Sequence, residues 1–315
     1  MNYRTIMAAA LFAASGLVTP AIAAKPIVAG IVFSQLQYFR SIQNGMQATA
    51  KADGGELLMG DDNSSPEKES TLINTYIARG VKAIIISPLS KNGSVAALKR
   101  ANDAGIKIIL YNSPLSANFP VTSVDSSNEA LGQSTGTMAA KFIKEQLGGK
   151  AQIALLGFKS LLPQQSNART NGFLSEVEAA GQVKVVAEQD GWTPEKAVSV
   201  AANILTAHPH VNIIFAANDG GTIGAVEAVK QAGLRGKVFV FGIDGDSQMV
   251  DFMREKNPIL IATTAQLPFK IGEAAYNAAI DAIDGKKVPK TIEVPVVPLS
   301  AYNQAGLDTY LKQPK

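Results

Sequence analysis

The sequence predicts an α/β fold made of two Rossmann-like lobes, each built on a parallel sheet. Its strand-like runs are apolar throughout instead of alternating, as at residues 27–33, 83–87 and 106–111. Such runs, separated by helical stretches, are typical of a parallel sheet that helices cover on both faces. The succession of strands and helices is interrupted near residues 123–128 and then resumes, which indicates two units and not one extended sheet.

In the first series, strands are predicted at residues 27–33, 57–59, 83–87 and 106–111, with helices at 38–53, 66–79 and 92–103. Ser65, Pro66 and Glu67 are typical of a helix start with proline in its first turn. Gly80 and Gly105 follow the second and third helices, where glycine commonly ends a helix.

In the second series, helices are predicted at residues 129–146, 168–180, 194–207, 221–231 and 246–255. The strands between them begin at residues 152, 184, 211, 238 and 259. A long helix at 269–283 and one extended segment at 291–298 complete the prediction.

The N-terminal residues are typical of a secretory signal peptide. Arg4 supplies one positive charge, an almost wholly apolar stretch follows at residues 6–18, and Ala21 and Ala23 are small residues near a cleavage site. The apolar stretch is too short to span a bilayer comfortably. We therefore expect a signal peptide at residues 1–23, cleaved near Ala23, and an exported protein.

Composition excludes several classes of partner. The chain has no cysteine, so disulfides do not hold the fold. Its formal net charge is +3, and its lysines and arginines are scattered, so no nucleic-acid surface is predicted. We expect no cofactor or metal, because no phosphate loop or zinc motif is present and His208 and His210 lack further ligands.

Four polar residues late in the chain follow or border apolar runs, at positions where strands are predicted to end. They are Arg169, Asn218, Asp244 and Gln266. Ligands of open α/β sheets lie beyond the carboxyl ends of the strands. Each of these side chains can hydrogen-bond two neighbouring polar atoms, the pattern that vicinal hydroxyls offer. The sequence therefore predicts a clamp for a small polyol, without an evident catalyst.

Other interpretations of these residues stay open. Arg169 could tie a helix start to a carboxylate, Trp192 could pack at the start of the next helix, and Asp244 could be a turn residue. Tyr38 at a helix start could belong to the core. We interpret Asp219 as a helix cap or hinge partner and not as a ligand contact.

The order and spacing of several motifs give a resemblance to a known family. The chain resembles the periplasmic sugar-binding proteins of ATP-driven (ABC) importers, in the ribose-binding-protein-like group, whose core is shared by lactose-repressor-type regulators. The resemblance covers nearly all of the chain after the signal peptide. Its marks are Tyr38-Phe39 followed by Gly45, Ser87-Pro88, and segments 169–173, 205–209, 215–219, 242–245 and 262–268.

The resemblance implies a type I periplasmic binding fold that closes on a ligand by hinge motion and serves a membrane permease. Residues 24–125 plus 267–295 would form the N-terminal lobe, and residues 126–266 plus 296–315 the C-terminal lobe. Three hinge crossings would fall near residues 124–127, 264–267 and 296–298. We expect a monomer, since nothing in the composition calls for an oligomer. The resemblance leaves open whether a chemoreceptor is a second partner.

The resemblance also implies roles in the cleft. Tyr38 and Phe39 would pack under one face of a sugar ring, and Trp192, the only tryptophan, would cover the other. Arg169 and Asp244 would bond ring or hydroxyl oxygens. Asn218 and Gln266 would each donate and accept.

The N-terminal lobe departs from the pattern of a ribose binder. Asn112-Ser113 stands where such a protein has Asp-Arg, Ser87 stands where it has Asn, and Gln37 replaces Asn-Pro before the aromatics. Gln37 and Asn112 are predicted to contact the ligand. Because two charged groups are lost, we expect a small sugar or polyol other than ribose.

Two further function classes are weighed. A transcriptional regulator on the same core would need an N-terminal DNA-binding helix pair, where this chain has an export signal. The alternative is an exported carbohydrate-active enzyme such as a glycosidase, in which Asp125, Asp244 and Glu273 would supply carboxylates. Nothing in their spacing supports that pairing, so we expect a binding protein and not an enzyme.

Overall fold

The computed structural model describes residues 25–314, so the predicted signal peptide at residues 1–23 lies outside the described residues. The strands are β1 (Ile27–Val32), β2 (Glu56–Asp61), β3 (Ala83–Ile86), β4 (Lys107–Tyr111), β5 (Thr122–Asp125), β6 (Lys150–Gly157), β7 (Gln182–Asp190), β8 (Ile213–Ala216), β9 (Phe239–Ile243), β10 (Leu260–Ala265), β11 (Thr291–Glu293) and β12 (Val297–Ser300). The helices are α1 (Gln37–Asp53), α2 (Pro66–Ala78), α3 (Val95–Asp103), α4 (Asn128–Gln146), α5 (Pro163–Val177), α6 (Pro194–Ala207), α7 (Asp219–Gln231), α8 (Ser247–Arg254), α9 (Pro268–Ile283) and α10 (Gln304–Leu311). Among these helices, none is long and apolar enough to cross a membrane.

Within residues 25–314 the strands form two six-stranded sheets, which confirms the predicted two-lobed α/β class. The N-terminal sheet has the order β11-β5-β4-β3-β1-β2, and all its neighbouring strands are parallel. The C-terminal sheet has the order β12-β10-β9-β8-β6-β7, with β12 antiparallel to β10 and the others parallel. The carboxyl ends of the parallel strands therefore meet at one edge of each sheet.

Burial on both faces of the N-terminal sheet explains its continuous apolar runs. Ile85 and Tyr111 pack with residues of α1 and α9, whereas Ile84 and Ile108 pack with residues of α2 and α3. All four side chains are fully buried. Since successive side chains of a strand point to opposite faces, a strand covered on both faces has no solvent-facing position.

Three short segments connect the lobes, at residues 126–127 between β5 and α4, 266–267 between β10 and α9, and 294–296 between β11 and β12. The Ser126 hydroxyl donates to the Val294 carbonyl at 3.1 Å, which joins the first crossing to the third. The third crossing lies earlier than the predicted 296–298, because Val297 and Pro298 already pair with β10. The predicted residue limits of the lobes stay predictions.

Several elements differ from the sequence-based expectation, among them strand β5 at Thr122–Asp125, which was not predicted. Helix α5 begins at Pro163 instead of residue 168, and the single extended segment predicted at 291–298 is two strands in different sheets. Helix α10 was not predicted, because its eight residues bury only Leu307 and Tyr310, too few for a clear period.

Candidate functional site

A cavity of ≈ 450 Å³ lies between the lobes, with walls from both of them and from the second crossing. Its volume is in the range of small-molecule sites. The cavity brings together all nine residues predicted for ligand binding. They are Gln37, Tyr38, Phe39, Asn112, Arg169, Trp192, Asn218, Asp244 and Gln266.

A chain of polar contacts runs across the cavity from one lobe to the other. The Tyr38 hydroxyl donates to Gln266 Oε1 at 3.3 Å, and Gln266 Nε2 donates to Asp244 Oδ1 at 2.8 Å. Arg169 Nη1 lies 3.6 Å from Asp244 Oδ2. Gln266, on the second crossing, therefore connects an N-terminal tyrosine with the charged pair of the C-terminal lobe.

Arg169 is held rigidly beneath the cavity. Its Nε donates to Asn128 Oδ1 at 2.9 Å and its Nη1 donates to the Ala217 carbonyl at 2.9 Å, so only part of its five-donor guanidinium is used. The guanidinium carbon lies 5.4 Å from the ring centre of Phe158. A Cβ on Gly132 of α4 would meet the Arg169 carbonyl at 2.0 Å, so close packing of α4 on α5 sets where the arginine stands.

Asp244 has a left-handed backbone, with φ +72°, in the loop after β9. Its N–H donates to the Thr264 carbonyl at 2.8 Å, and the Thr263 hydroxyl donates to the Asp244 carbonyl at 2.5 Å. Asp244 thus has a left-handed backbone in a loop, while its half-buried carboxylate lines the cavity.

The start of α7 arranges a second group of side chains. Asn218 is the N-cap: its Oδ1 accepts from the Gly221 N–H at 3.2 Å, and its Nδ2 donates to the Trp192 carbonyl at 2.9 Å. The Lys196 amino group lies 4.8 Å from the ring centre of Trp192. The hydrogen bonds of the Asn218 amide are therefore made largely to protein partners. One side of the Trp192 indole faces the amino group of Lys196.

Asp219, interpreted from the sequence as a helix cap or hinge partner and not as a ligand contact, lines the cavity as well. It is the first residue of α7 and not the cap. Withdrawal of its carboxyl from bulk water, together with the nearby charge of Asp244, raises the pKa of Asp219 to about 6. Its place directly after Asn218 at the end of β8 was the available sequence signal.

The two aromatic residues at the start of α1, Tyr38 and Phe39, differ in their surroundings. Phe39 is buried and packs against Phe33, with ring centres 4.3 Å apart. Tyr38 meets the edge of Phe39 at 5.2 Å and presents its hydroxyl to Gln266. Burial raises the pKa of Tyr38 above its ordinary value, so the phenol remains a neutral donor.

Asn112 belongs to a hydrogen-bonded network with Ser87 and Ser113. Its Nδ2 lies 3.2 Å from the Ser87 hydroxyl and 3.3 Å from the Ser113 hydroxyl, and those hydroxyls bond each other at 3.1 Å. Its N–H donates to Asp125, and its carbonyl accepts from Gln165 Nε2 of the other lobe at 3.0 Å. The residues that replace the charged pair of a ribose binder are thus largely engaged with one another.

Gln37 and three leucines form the outer part of the cavity. Gln37 is exposed at the first position of α1. Leu36 on one lobe and Leu161 and Leu162 on the other are 68%, 57% and 39% exposed and line the same opening. The mouth of the cavity is therefore more apolar than its floor.

The carboxylates proposed for a glycosidase do not share one cavity. Asp244 lines the larger cavity, and Asp125 lines a neighbouring cavity of ≈ 250 Å³. Burial raises the pKa of Asp125 to about 6, although hydrogen bonds from Ser123 and Asn112 oppose the shift. Glu273 pairs with Lys270 at 2.5 Å on α9 and lines neither cavity.

Two lobes that enclose a polar and aromatic cavity define a solute-binding protein. Residues 29–287 match the family model described as periplasmic binding protein domain. The chain is 30% identical over 275 residues to the ribose import binding protein RbsB of Bacillus subtilis, covering 86% of this chain and 87% of that protein. It is 29% identical over 308 residues to the ABC transporter periplasmic-binding protein YphF of Escherichia coli, covering 93% and 89%.

Solved structures agree with these sequence relatives. An ABC transporter periplasmic solute binding protein from Actinobacillus succinogenes, solved with D-allose, superposes with a TM-score of 0.80 at 31% identity, covering 91% of this chain and all of that one. The chain belongs to the periplasmic binding protein family. Members of this family are the solute-binding proteins of ABC importers and not enzymes.

Proposed function

We propose that this protein captures a small sugar or polyol other than D-ribose between its lobes and delivers it to its permease. The observation that carries the proposal is the polar chain from Tyr38 through Gln266 and Asp244 to Arg169, beside Trp192, around one cavity. A sugar has apolar faces and a polar rim, which aromatic rings and planar polar groups complement.

Closure of the lobes around the ligand follows from where these groups stand. Tyr38 belongs to α1 of the N-terminal lobe, Arg169 and Asp244 belong to the C-terminal lobe, and Gln266 lies on a crossing. A ligand that contacts both lobes binds the closed state more tightly, and that difference in affinity drives closure. The crossings at residues 126–127, 266–267 and 294–296 are short enough to act as hinges.

The exclusion of D-ribose rests on the N-terminal lobe. Relatives named for ribose import are about a third identical to this chain, for example 32% over 268 residues for the RbsB of Salmonella typhimurium. In this protein Asn112-Ser113 takes the place of the Asp-Arg pair, and the Asn112 amide is bonded to Ser87 and Ser113. A ligand hydroxyl left without its partner in a closed site costs binding free energy.

We further propose that residues 1–23 are a signal peptide cleaved near Ala23 and that the exported protein works as a monomer. The charged start, the apolar stretch at 6–18 and the small residues before Ala24 support export. A chemoreceptor that recognises the closed form is a second candidate partner.

A ligand screen tests the proposal. The protein without residues 1–23 would be unfolded, dialysed, refolded and assayed by thermal shift against pentoses, hexoses, deoxysugars and polyols of four to six carbons. A ligand at a hundredfold excess over Kd stabilises the native state by about 2.7 kcal/mol. We expect at least one sugar or polyol other than D-ribose to raise Tm and to show submicromolar Kd by calorimetry. No shift with any member of the panel would contradict the proposal.

A further inference from the structure

The C-terminal helix α10 reaches the ligand cavity from outside the matched family region. That region ends at residue 287, whereas α10 spans Gln304–Leu311. Tyr310 of this helix lines the cavity together with Gln313 and Pro314. The helix is therefore placed to influence the site and not only to close the C-terminal lobe.

Helix α10 is anchored firmly enough to act as a support. Leu307 is fully buried in the core of the C-terminal lobe, and Asp308 pairs with Arg254 of α8. Asn303 caps the helix by accepting from the Gly306 N–H at 3.0 Å. These contacts fix the direction of Tyr310, whose side chain is also largely buried.

The loop that carries Asp244 is the element that Tyr310 contacts. The Tyr310 hydroxyl donates to the Gly245 carbonyl at 2.6 Å. A Cβ on Gly245 would lie 3.0 Å from Leu299 Cδ1 and 3.2 Å from the Tyr310 hydroxyl, so β12 and Tyr310 enclose this glycine closely. Burial and, to a smaller extent, the nearby charges of Asp244 and Asp246 raise the pKa of Tyr310 above its ordinary value, so the phenol keeps its proton.

Asp244 needs such support because of its backbone. A left-handed conformation is unfavourable for a residue other than glycine and persists where neighbouring contacts hold it. Thr263 and Thr264 bond the Asp244 carbonyl and N–H from the β10 side. Tyr310 supplies the bond to the next residue from α10.

We propose that Tyr310 is a positioning residue for Asp244, so that the C-terminal helix is a functional part of the ligand site. This inference rests on the proposed function, in which Asp244 bonds the ligand. Tyr310 holds the carbonyl of Gly245, the residue after Asp244, and thereby fixes the direction in which the Asp244 carboxylate faces the cavity. The ligand affinity of the site then depends on the Tyr310 hydroxyl, which acts through Asp244.

A ligand-free measurement tests the positioning step. The change Tyr310→Phe keeps the buried ring and removes only the hydroxyl. We expect amide hydrogen exchange of Asp244, followed by NMR, to become at least tenfold faster, while exchange of Ile214 in β8 changes less than twofold. Tyr302→Phe is the matched control, since Tyr302 lies in the same C-terminal segment and is 70% exposed. Unchanged exchange at Asp244, or an equal increase at Asp244 and Ile214, would overturn the proposal.

A double-mutant cycle tests the functional step, with D-allose, D-ribose, L-arabinose and myo-inositol as probes. For a probe that binds, we expect Tyr310→Phe to raise Kd about fivefold in the wild-type background and less than twofold in the Asp244→Ala background. A loss of the same size in both backgrounds would show that Tyr310 does not act through Asp244. Absence of binding by all four probes would count against the proposed function alone, and the exchange measurement would still decide the role of Tyr310.

Discussion

The side-chain amide of Gln266 donates a 2.8 Å hydrogen bond to the carboxylate of Asp244. Gln266 lies on the second crossing between the lobes, and its oxygen accepts from the Tyr38 hydroxyl of α1. A hinge residue is thus bonded both to the charged pair of one lobe and to an aromatic residue of the other. A ligand that enters here can replace or strengthen bonds that cross the hinge.

Truncation of the cavity residues should weaken binding without unfolding the protein. We expect Asp244→Ala, Arg169→Ala and Trp192→Ala each to raise Kd at least tenfold for the best sugar or polyol of the screen. Removing one partner of a buried charged hydrogen bond costs about 2–5 kcal/mol. Calorimetry on each purified variant measures the change.

The matched control for that series is Asp251→Ala, because Asp251 is an exposed carboxylate on α8 of the same lobe. Its Kd should stay within twofold of the wild-type value. Unchanged affinity in all three cavity variants would show that the cavity is not the binding site.

The ligand selectivity should reflect the rewritten N-terminal lobe. We expect D-ribose to bind at least a hundredfold more weakly than the best ligand of the screen, since Asn112, Ser87 and Ser113 bond one another. Calorimetry on refolded, ligand-free protein makes the comparison. Submicromolar binding of D-ribose would mean that other residues compensate for the lost charged pair.

Ligand binding should change the shape of the protein in solution. We expect saturating ligand to reduce the radius of gyration in X-ray scattering and to alter the emission of Trp192, the only tryptophan of the chain. Trp192 lines the cavity, so its surroundings change when the lobes close. The scattering mass should remain that of a monomer.

The Asp244→Ala variant controls that experiment at a sugar concentration equal to the wild-type Kd, where its weaker binding should make both changes much smaller than in the wild type. If saturating ligand leaves the scattering curve and the tryptophan emission of the wild type unaltered, hinge closure is not how this protein responds.

Asp62 should make stability depend on pH. It is fully buried after β2, and its Oδ2 has no hydrogen-bond partner. Burial, opposed by a hydrogen bond from the Ser64 N–H and assisted by the charge of Glu69, raises the pKa of Asp62 to about 7. The native state then holds a proton that the unfolded state has released, so its contribution to stability is full below about pH 4 and is lost as pH rises to about 7.

Urea unfolding between pH 4 and pH 8 measures this contribution, which is roughly 4 kcal/mol at most for a shift of this size. Asp62→Asn cannot ionise and should unfold at higher urea than the wild type at pH 8, with a flatter profile between pH 4 and pH 7. Asp251→Asn, at an exposed site, should retain the wild-type profile. A wild-type profile in Asp62→Asn would show that Asp62 is not the group responsible.

The sequence by itself determined the fold class and placed nine of the residues that line the cavity. Continuous apolar runs such as residues 83–87 require cover on both faces, and that requirement is local to the chain. Polar residues that follow such runs meet at one edge of a parallel sheet, which is why Asn218, Asp244 and Gln266 line a single cavity. The nine predicted residues all line it for these reasons together with the family resemblance.

The tertiary structure alone decided which polar atoms are committed to protein partners and which residues from distant segments join the site. The Asn218 side-chain amide caps α7 and donates to the Trp192 carbonyl. Asp219, interpreted from the sequence as a helix cap or hinge partner, lines the cavity. Tyr310, which bonds the Gly245 carbonyl, lies on α10, a helix that the sequence did not predict. Hydrogen-bond partners depend on distances between residues far apart in the chain, and a pattern of residue types along one strand or helix does not contain those distances.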